Sequence, residues 1–178
     1  MLLVATSVAF VLICLASDPG RRTPQNYDGA FYRALAEHPR TPVEPPFTFR
    51  ILTPLLVHAM PLPTDWGFFV LSALGLGIAC SALDAFLRRL VSGRIALIGV
   101  AMLASGHIVS LVIWRPIIVD GLTLAATGVV FVCLQRERWW LVALLLPLAV
   151  TNHDLVLLLV IPIALTAWRQ RRAALPLL

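Results

Sequence analysis

From position 66 to position 168 the sequence repeats one pattern: an apolar run, then a short break, and alternate breaks carry clustered arginines. A bilayer's hydrocarbon core is about 30 Å thick and takes about 20 apolar helical residues to cross. The runs at 66–87, 95–114 and 117–134 have about that length. A further run at 1–16 has no basic residue before it and no A-x-A site after it, so it reads as an anchor helix in preference to a cleaved signal. The stretch 139–168 is interrupted by Thr151-Asn152-His153-Asp154. Its two apolar halves, about 18–21 Å of helix each, read as thin crossings or as a re-entrant hairpin. The expected fold is therefore all-α, a polytopic transmembrane bundle of about six segments forming a single domain over 1–178.

Composition agrees. Apolar residues make up 60% of the chain and charged residues 13%, and the mean hydropathy is +0.90. Soluble domains are about 45–50% apolar and about a quarter charged, so an ordinary water-soluble enzyme is excluded. The 14 basic residues exceed the nine acidic ones to give +5, and all 14 are arginine, which leaves no lysine for a Schiff base or a P-loop. They are scattered between apolar runs, so no nucleic-acid partner is expected. Cys14, Cys80 and Cys133 each sit alone in an apolar run and read as membrane-packing residues.

Arginine also sets the sidedness. Arg88, Arg89 and Arg94 follow the 66–87 run, Arg136 and Arg138 follow 117–134, and Arg169, Arg171 and Arg172 end the last segment. The positive-inside rule places these clusters in the cytoplasm, with both termini there too and the segment 17–65 outside. A bacterial inner membrane is the expected location. Most of the remaining polar residues then fall on the outer side, among them Asp28, Arg50, Arg115, Asp120, His153 and Asp154, with His38, His58, His107 and Asn152. Such convergence beside a membrane marks a candidate site, because these groups are costly there unless paired or hydrated. Asp84 is the exception, one helical turn before Arg88 and expected to pair with it.

Two amphipathic juxtamembrane helices are expected in the outer segment. The first starts at Thr23-Pro24 and carries Tyr27, Phe31, Ala34, Leu35 and His38 on one face until Pro39 ends it. Pro42, Pro45 and Pro46 make a stiff connector to the second, expected over 47–59 with Phe47, Ile51, Leu55 and Ala59 on one face. In the bundle, Gly75 and Gly77 with Ala73 and Ala79, and Gly99 to Gly106, look like close-packing positions between helices.

The arrangement Tyr27-Asp28-Gly29-Ala30-Phe31-Tyr32, a proline-broken connector, then Phe47-Thr48-Phe49-Arg50-Ile51-Leu52-Thr53-Pro54-Leu55-Leu56 resembles the first outer loop of the GT-C superfamily of membrane glycosyltransferases. The segment 136–168, with its arginine-flanked Trp-Trp start and polar interruption between short apolar helices, is similar to a later part of those enzymes. The resemblance implies an outer-face site, a sugar donor on a polyprenyl phosphate, and a catalytic carboxylate at the position of Asp28. This sequence departs from the family in stopping about six segments in and in having Asn152-His153-Asp154 where a Lys-Glu or Arg-Glu pair is more familiar. An incomplete or inactive chain, or a partner chain that completes the bundle, is therefore among the expectations.

Under this reading Asp28 takes a proton from the acceptor hydroxyl, while Arg50 and Arg115 hold the lipid phosphate bidentately. Asp120, His153 and Asp154 line the site. The bland alternatives stay open: Asp28 as a helix-start residue, Arg50 snorkelling at the interface, Arg115 paired with Asp120, and His153-Asp154 as a hairpin tip. Adjacent His153 and Asp154 also admit a divalent metal, whose identity the sequence leaves open. Two other function classes compete. One is a non-catalytic membrane subunit or scaffold whose outer loop docks a partner. The other is a transport component, hinted at by proline near Pro147 and Pro162 but lacking an internal repeat.

Overall fold

The structure is a computed structural model that describes residues 27–105, 117 and 119–174. The expected anchor at 1–16, the helix start at Thr23-Pro24, and Cys14, His107 and Arg115 lie outside the described residues. Those residues form helices and no strand. They are α1 (Tyr27–Glu37), a 3-10 turn (Phe47–Phe49), α2 (Leu52–His58), α3 (Thr64–Leu87), α4 (Gly93–Ser105), α5 (Asp120–Gln135), α6 (Trp139–Val150), a 3-10 helix (Asp154–Leu159) and α7 (Val160–Ala174).

Helix α3 has 24 residues and is the one described helix long and apolar enough to cross a membrane. At about 1.5 Å per residue it spans about 36 Å. Helices α5 and α6 are apolar but have 16 and 12 residues, below the length expected of full crossings, and α4 is apolar over the 13 residues that are described. In α5 the helix begins at Asp120 and not at 117, so the fourth expected run is shorter than its apolar sequence. The break expected within 139–168 is present: α6 ends at Val150, and the chain continues as the 3-10 helix before α7.

The bundle is organised around α3 and α5, which run parallel. Ser72 meets Gly121, Ala79 and Ala82 meet Gly128, and the Gln135 side-chain amide donates to the Phe86 carbonyl. These contacts recur every seven residues on both helices, the repeat that keeps one seam facing its partner. The approach is at backbone distance. A Cβ on Gly75 would lie 2.5 Å from the Gly121 carbonyl, and one on Gly121 would lie 2.8 Å from the Ser72 backbone. Gly75 is thus a close-packing position as expected, whereas Gly77 faces open space and is not. Helix α6 runs back along α5, with the Arg138 N–H on the Cys133 carbonyl at one end and Asn152 against Val119 at the other.

Two apolar clusters result. One joins Val130, Cys133, Leu134, Val142, Ala149, Val156 and Leu159 inside the bundle. The other joins Tyr32, Ala36, Phe47, Val57, Phe68, Leu71, Ile117 and Val119, and seats α1, the 3-10 turn and α2 on the first part of α3. Within it the Phe47 ring stacks on Phe31 with centroids 4.6 Å apart and meets Tyr32 edge-on at 5.6 Å.

The two helices expected within 17–65 differ from expectation in detail. The second does not run unbroken from Phe47. Proline has no N–H and clashes with the carbonyl four residues back, so Pro54 is tolerated in the first turn of a helix starting at Leu52 but not inside a longer one. Its buried face is Thr53, Pro54 and Val57, while Ile51, Leu55 and Ala59 point outward. On α1 it is Tyr32, Leu35 and Ala36 that are buried, and His38 lies beyond the helix and is exposed. The Arg33 guanidinium pairs with Asp65 at 2.5 Å, tying α1 to the first turn of α3.

Candidate functional site

The segment 50–53 lies along the interruption at 151–154, and four interactions join them. The Leu52 N–H donates to the Thr151 carbonyl at 3.1 Å. The Thr53 hydroxyl donates to Asn152 Oδ1 at 2.5 Å. Arg50 donates through both Nε (3.1 Å) and Nη2 (2.7 Å) to Asp154 Oδ1, closing an ion pair across 104 positions of sequence.

Asn152 is 1% exposed and its amide is engaged on both sides. Besides accepting from Thr53, it donates to the Val119 carbonyl at 2.8 Å and to the Thr123 hydroxyl at 2.9 Å. One amide thereby fastens the first turn of α2, the α6 end and the α5 start. The next residue, His153, caps the 3-10 helix: its Nδ1 accepts the Leu155 N–H at 3.1 Å. A ring nitrogen that accepts carries no proton, so the proton sits on Nε2 and the 3.1 Å approach of Nδ1 to Asp154 Oδ1 is proximity, not an ion pair. Burial, reinforced by the Arg50 charge and opposed by Asp120 and Asp154, holds the His153 pKa below its ordinary value.

Arg50 is the centre of the arrangement. Its Nη1 donates to the Tyr32 hydroxyl at 3.3 Å. Partial burial disfavours its charge, but hydrogen bonds and charge from Tyr32 and Asp154 outweigh that and strengthen the cation. Three of the five guanidinium N–H groups are thus committed, one each on Nε, Nη1 and Nη2, and two remain for a ligand. For Asp154 desolvation is the largest single influence and raises the pKa, but the Arg50 hydrogen bond and charge, with smaller contributions from a backbone hydrogen bond and His153, together outweigh it and hold the carboxyl below the usual carboxylate range. Burial pushes the Tyr32 hydroxyl up, against the pull of Arg50, with Asp28 and Asp120 adding to the rise.

Of the expected site residues, Arg50, His153 and Asp154 are in direct contact. Asp120, half-buried at the start of α5, acts electrostatically on both His153 and Tyr32. Asp28, in the first turn of α1, is exposed and lies one turn before Tyr32, whose hydroxyl feels its charge. Among the described residues neither Asp28 nor Asp120 forms an ion pair. Arg115, and with it the expected pairing to Asp120, lies outside the described residues. His58 is occupied elsewhere, its Nδ1 2.8 Å from the Ala36 carbonyl. Tyr32 and Thr53 fall within the two stretches that carry the family resemblance, but neither was singled out there, because a tyrosine on an amphipathic helix and a threonine before proline have no signature of their own.

No group of three or more His, Cys, Asp or Glu side chains among the described residues is arranged to hold a metal ion. The pair expected to offer ligands is engaged otherwise, His153 Nδ1 with a backbone N–H and Asp154 Oδ1 with Arg50.

At the opposite end of α3 and α5, Asp84 is buried and pairs with Arg88 at 2.6 Å, as its spacing suggested. Arg88, Arg89, Arg94, Arg136 and Arg138 are exposed there. The described residues thus form an all-helical bundle with a polar joint at one end of its central helix pair and an arginine-rich edge at the other. No family model, no curated protein and no solved structure matches it.

Proposed function

We propose that this chain is a multi-pass inner-membrane protein of the glycosyltransferase-like kind. It would take a sugar carried on a polyprenyl phosphate, at the outer face of the membrane. The membrane part of the reading is supported by what the bundle turns outward. Leu74 and Ile78 on α3, Ile98 and Met102 on α4, and Leu144 and Leu148 on α6 are all exposed, where a protein in water would present charge. The short helices are then thin or partial crossings, and the exposed arginines mark the cytoplasmic edge.

The observation that carries the catalytic part is the state of Arg50. A guanidinium fixed by Asp154 and Tyr32, with two N–H groups uncommitted, is pre-set to hold a lipid phosphate near Asp28 and Asp120. In the transfer, the acceptor hydroxyl oxygen attacks the anomeric carbon and Asp28 takes its proton. The bond from that carbon to the phosphate oxygen breaks, its electron pair stays on the phosphate, and Arg50 stabilises the charge. The direct test is sugar transfer from a polyprenyl-phosphate donor by the detergent-solubilised full chain, with Asp28→Asn beside it. A loss of about a hundredfold or more is expected when a general base is removed. Turnover like wild type in Asp28→Asn would remove the central claim.

A second reading rests on the same ion pair. Asp154 already neutralises Arg50, so the pair also suits a purely structural clasp in a non-catalytic membrane subunit. In that case the double variant Arg50→Gln with Asp154→Asn leaves stability near that of either single change, and the chain co-purifies with a stoichiometric partner through its 17–65 loop.

A further inference from the structure

We infer that Tyr32 is the positioning residue of this site, its hydroxyl fixing the Arg50 guanidinium relative to the α1 turn that carries Asp28. The inference rests on the lipid-phosphate reading of the site and names a residue that reading does not require.

The geometry sets Tyr32 apart from an ordinary core tyrosine. Its side chain is 2% exposed and locked edge-on against Phe47, which leaves the hydroxyl little freedom to wander. The hydroxyl accepts from Arg50 Nη1, so the phenol proton remains free to donate. Asp154 holds the guanidinium along its Nε and Nη2 side, and Tyr32 holds Nη1. The plane of the fork is thereby defined from two elements far apart in sequence. Asp28 lies four residues before Tyr32 on α1, on the same helical face, so the hydroxyl links the proposed base and the proposed phosphate clamp at a set separation. Burial keeps the phenol protonated, so it offers the same donor across the working pH range.

The test separates this role from packing. The full chain in detergent micelles is titrated with a polyprenyl monophosphate, and binding is read alongside the thermal midpoint. Tyr32→Phe keeps the ring on Phe47 and removes only the hydroxyl. It should weaken binding about tenfold, which is ~1.4 kcal/mol, while the midpoint stays within about two degrees. Val57→Ala removes buried volume from the same cluster but leaves the Tyr32 hydroxyl and its Phe47 contact in place, and it should lower the midpoint with little change in affinity. It also keeps the comparison informative if Tyr32→Phe fails to fold, because a purely packing role for Tyr32 predicts that affinity and midpoint fall together in Val57→Ala. Unchanged affinity in a folded Tyr32→Phe would overturn the positioning role and leave the lipid-phosphate reading in place. A wild-type chain that does not bind polyprenyl phosphate overturns that reading, and the inference with it.

Discussion

At the scale of single residues, Asn152 shows how much of the joint depends on one side chain. Its amide both accepts and donates, so neither an apolar nor an acidic replacement serves. Asn152→Ala leaves the buried Thr53 hydroxyl without its acceptor and takes one donor from the Val119 carbonyl, which keeps the Thr123 N–H and hydroxyl, and it should cost about 1–3 kcal/mol. Asn152→Asp keeps the shape but cannot donate to Val119, and it should be worse. Thermal midpoints in detergent check both. The neighbouring pair makes the joint acid-sensitive in two stages. His153 has a pKa below 6.5, through burial first and the Arg50 charge second. The folded chain therefore resists protonation there, and its stability is full above pH 6.5 and falls below it until the depressed pKa is reached. Asp154, held below 3.8 because Arg50 outweighs desolvation, adds a second fall only below pH 3.8. A midpoint-against-pH series should lose the first fall in His153→Gln and the second in Asp154→Asn. Asn152, His153 and Asp154 stood out in the sequence because polar residues are conspicuous inside an apolar run. Tyr32 did not, because nothing in an amphipathic repeat distinguishes a tyrosine that holds an arginine from one that only fills space.

At the scale of elements, the α3–α5 seam decides whether the bundle closes. Small side chains let two helix backbones touch, and the attraction comes from the packing they permit. Gly75→Ala or Gly121→Ala puts a methyl group against backbone that cannot turn aside, so the helices must separate. Overpacking of this kind costs about 1–3 kcal/mol, and it should lower the thermal midpoint. Gly77→Ala is the internal control: with nothing near its Cβ, it should be neutral or gain up to about 1 kcal/mol of helix propensity. Glycine spacing was enough to identify α3 as a packing helix, but not to choose between Gly75 and Gly77. That choice depends on which face meets α5, and α5 enters from 49 positions away. The same limit applied to α2, whose apolar pattern put Ile51 and Leu55 on one face without telling what that face meets. Asn152 instead draws Thr53 inward, and the outward leucines are left for another environment.

At the scale of the whole molecule, two chemical poles lie at the ends of one helix pair. The Arg50–Asp154 joint sits where α5 begins, and Arg136 follows where it ends, about 24 Å away along a helix of 16 residues. Between them the outward face is apolar, and the sequence runs carried that information because lipid-facing and core-facing residues are both apolar. For the same reason the runs overstated helix length: hydropathy does not register where a backbone turns, as it does before Asp120 and again at Thr151. A membrane placement makes the two poles face different compartments. In a background with Cys14, Cys80 and Cys133 replaced, Arg40→Cys and Arg138→Cys each put one thiol at an exposed position on opposite sides of the proposed bilayer. In sealed right-side-out vesicles a membrane-impermeant maleimide should label Arg40→Cys at once and Arg138→Cys only after permeabilisation. Labelling of both before permeabilisation would put the two poles in one aqueous phase, and a donor presented by the outer leaflet would then have no privileged approach to Arg50. The reverse order would turn the joint toward the cytoplasm, and any lipid-linked sugar it meets would have to come from the inner leaflet.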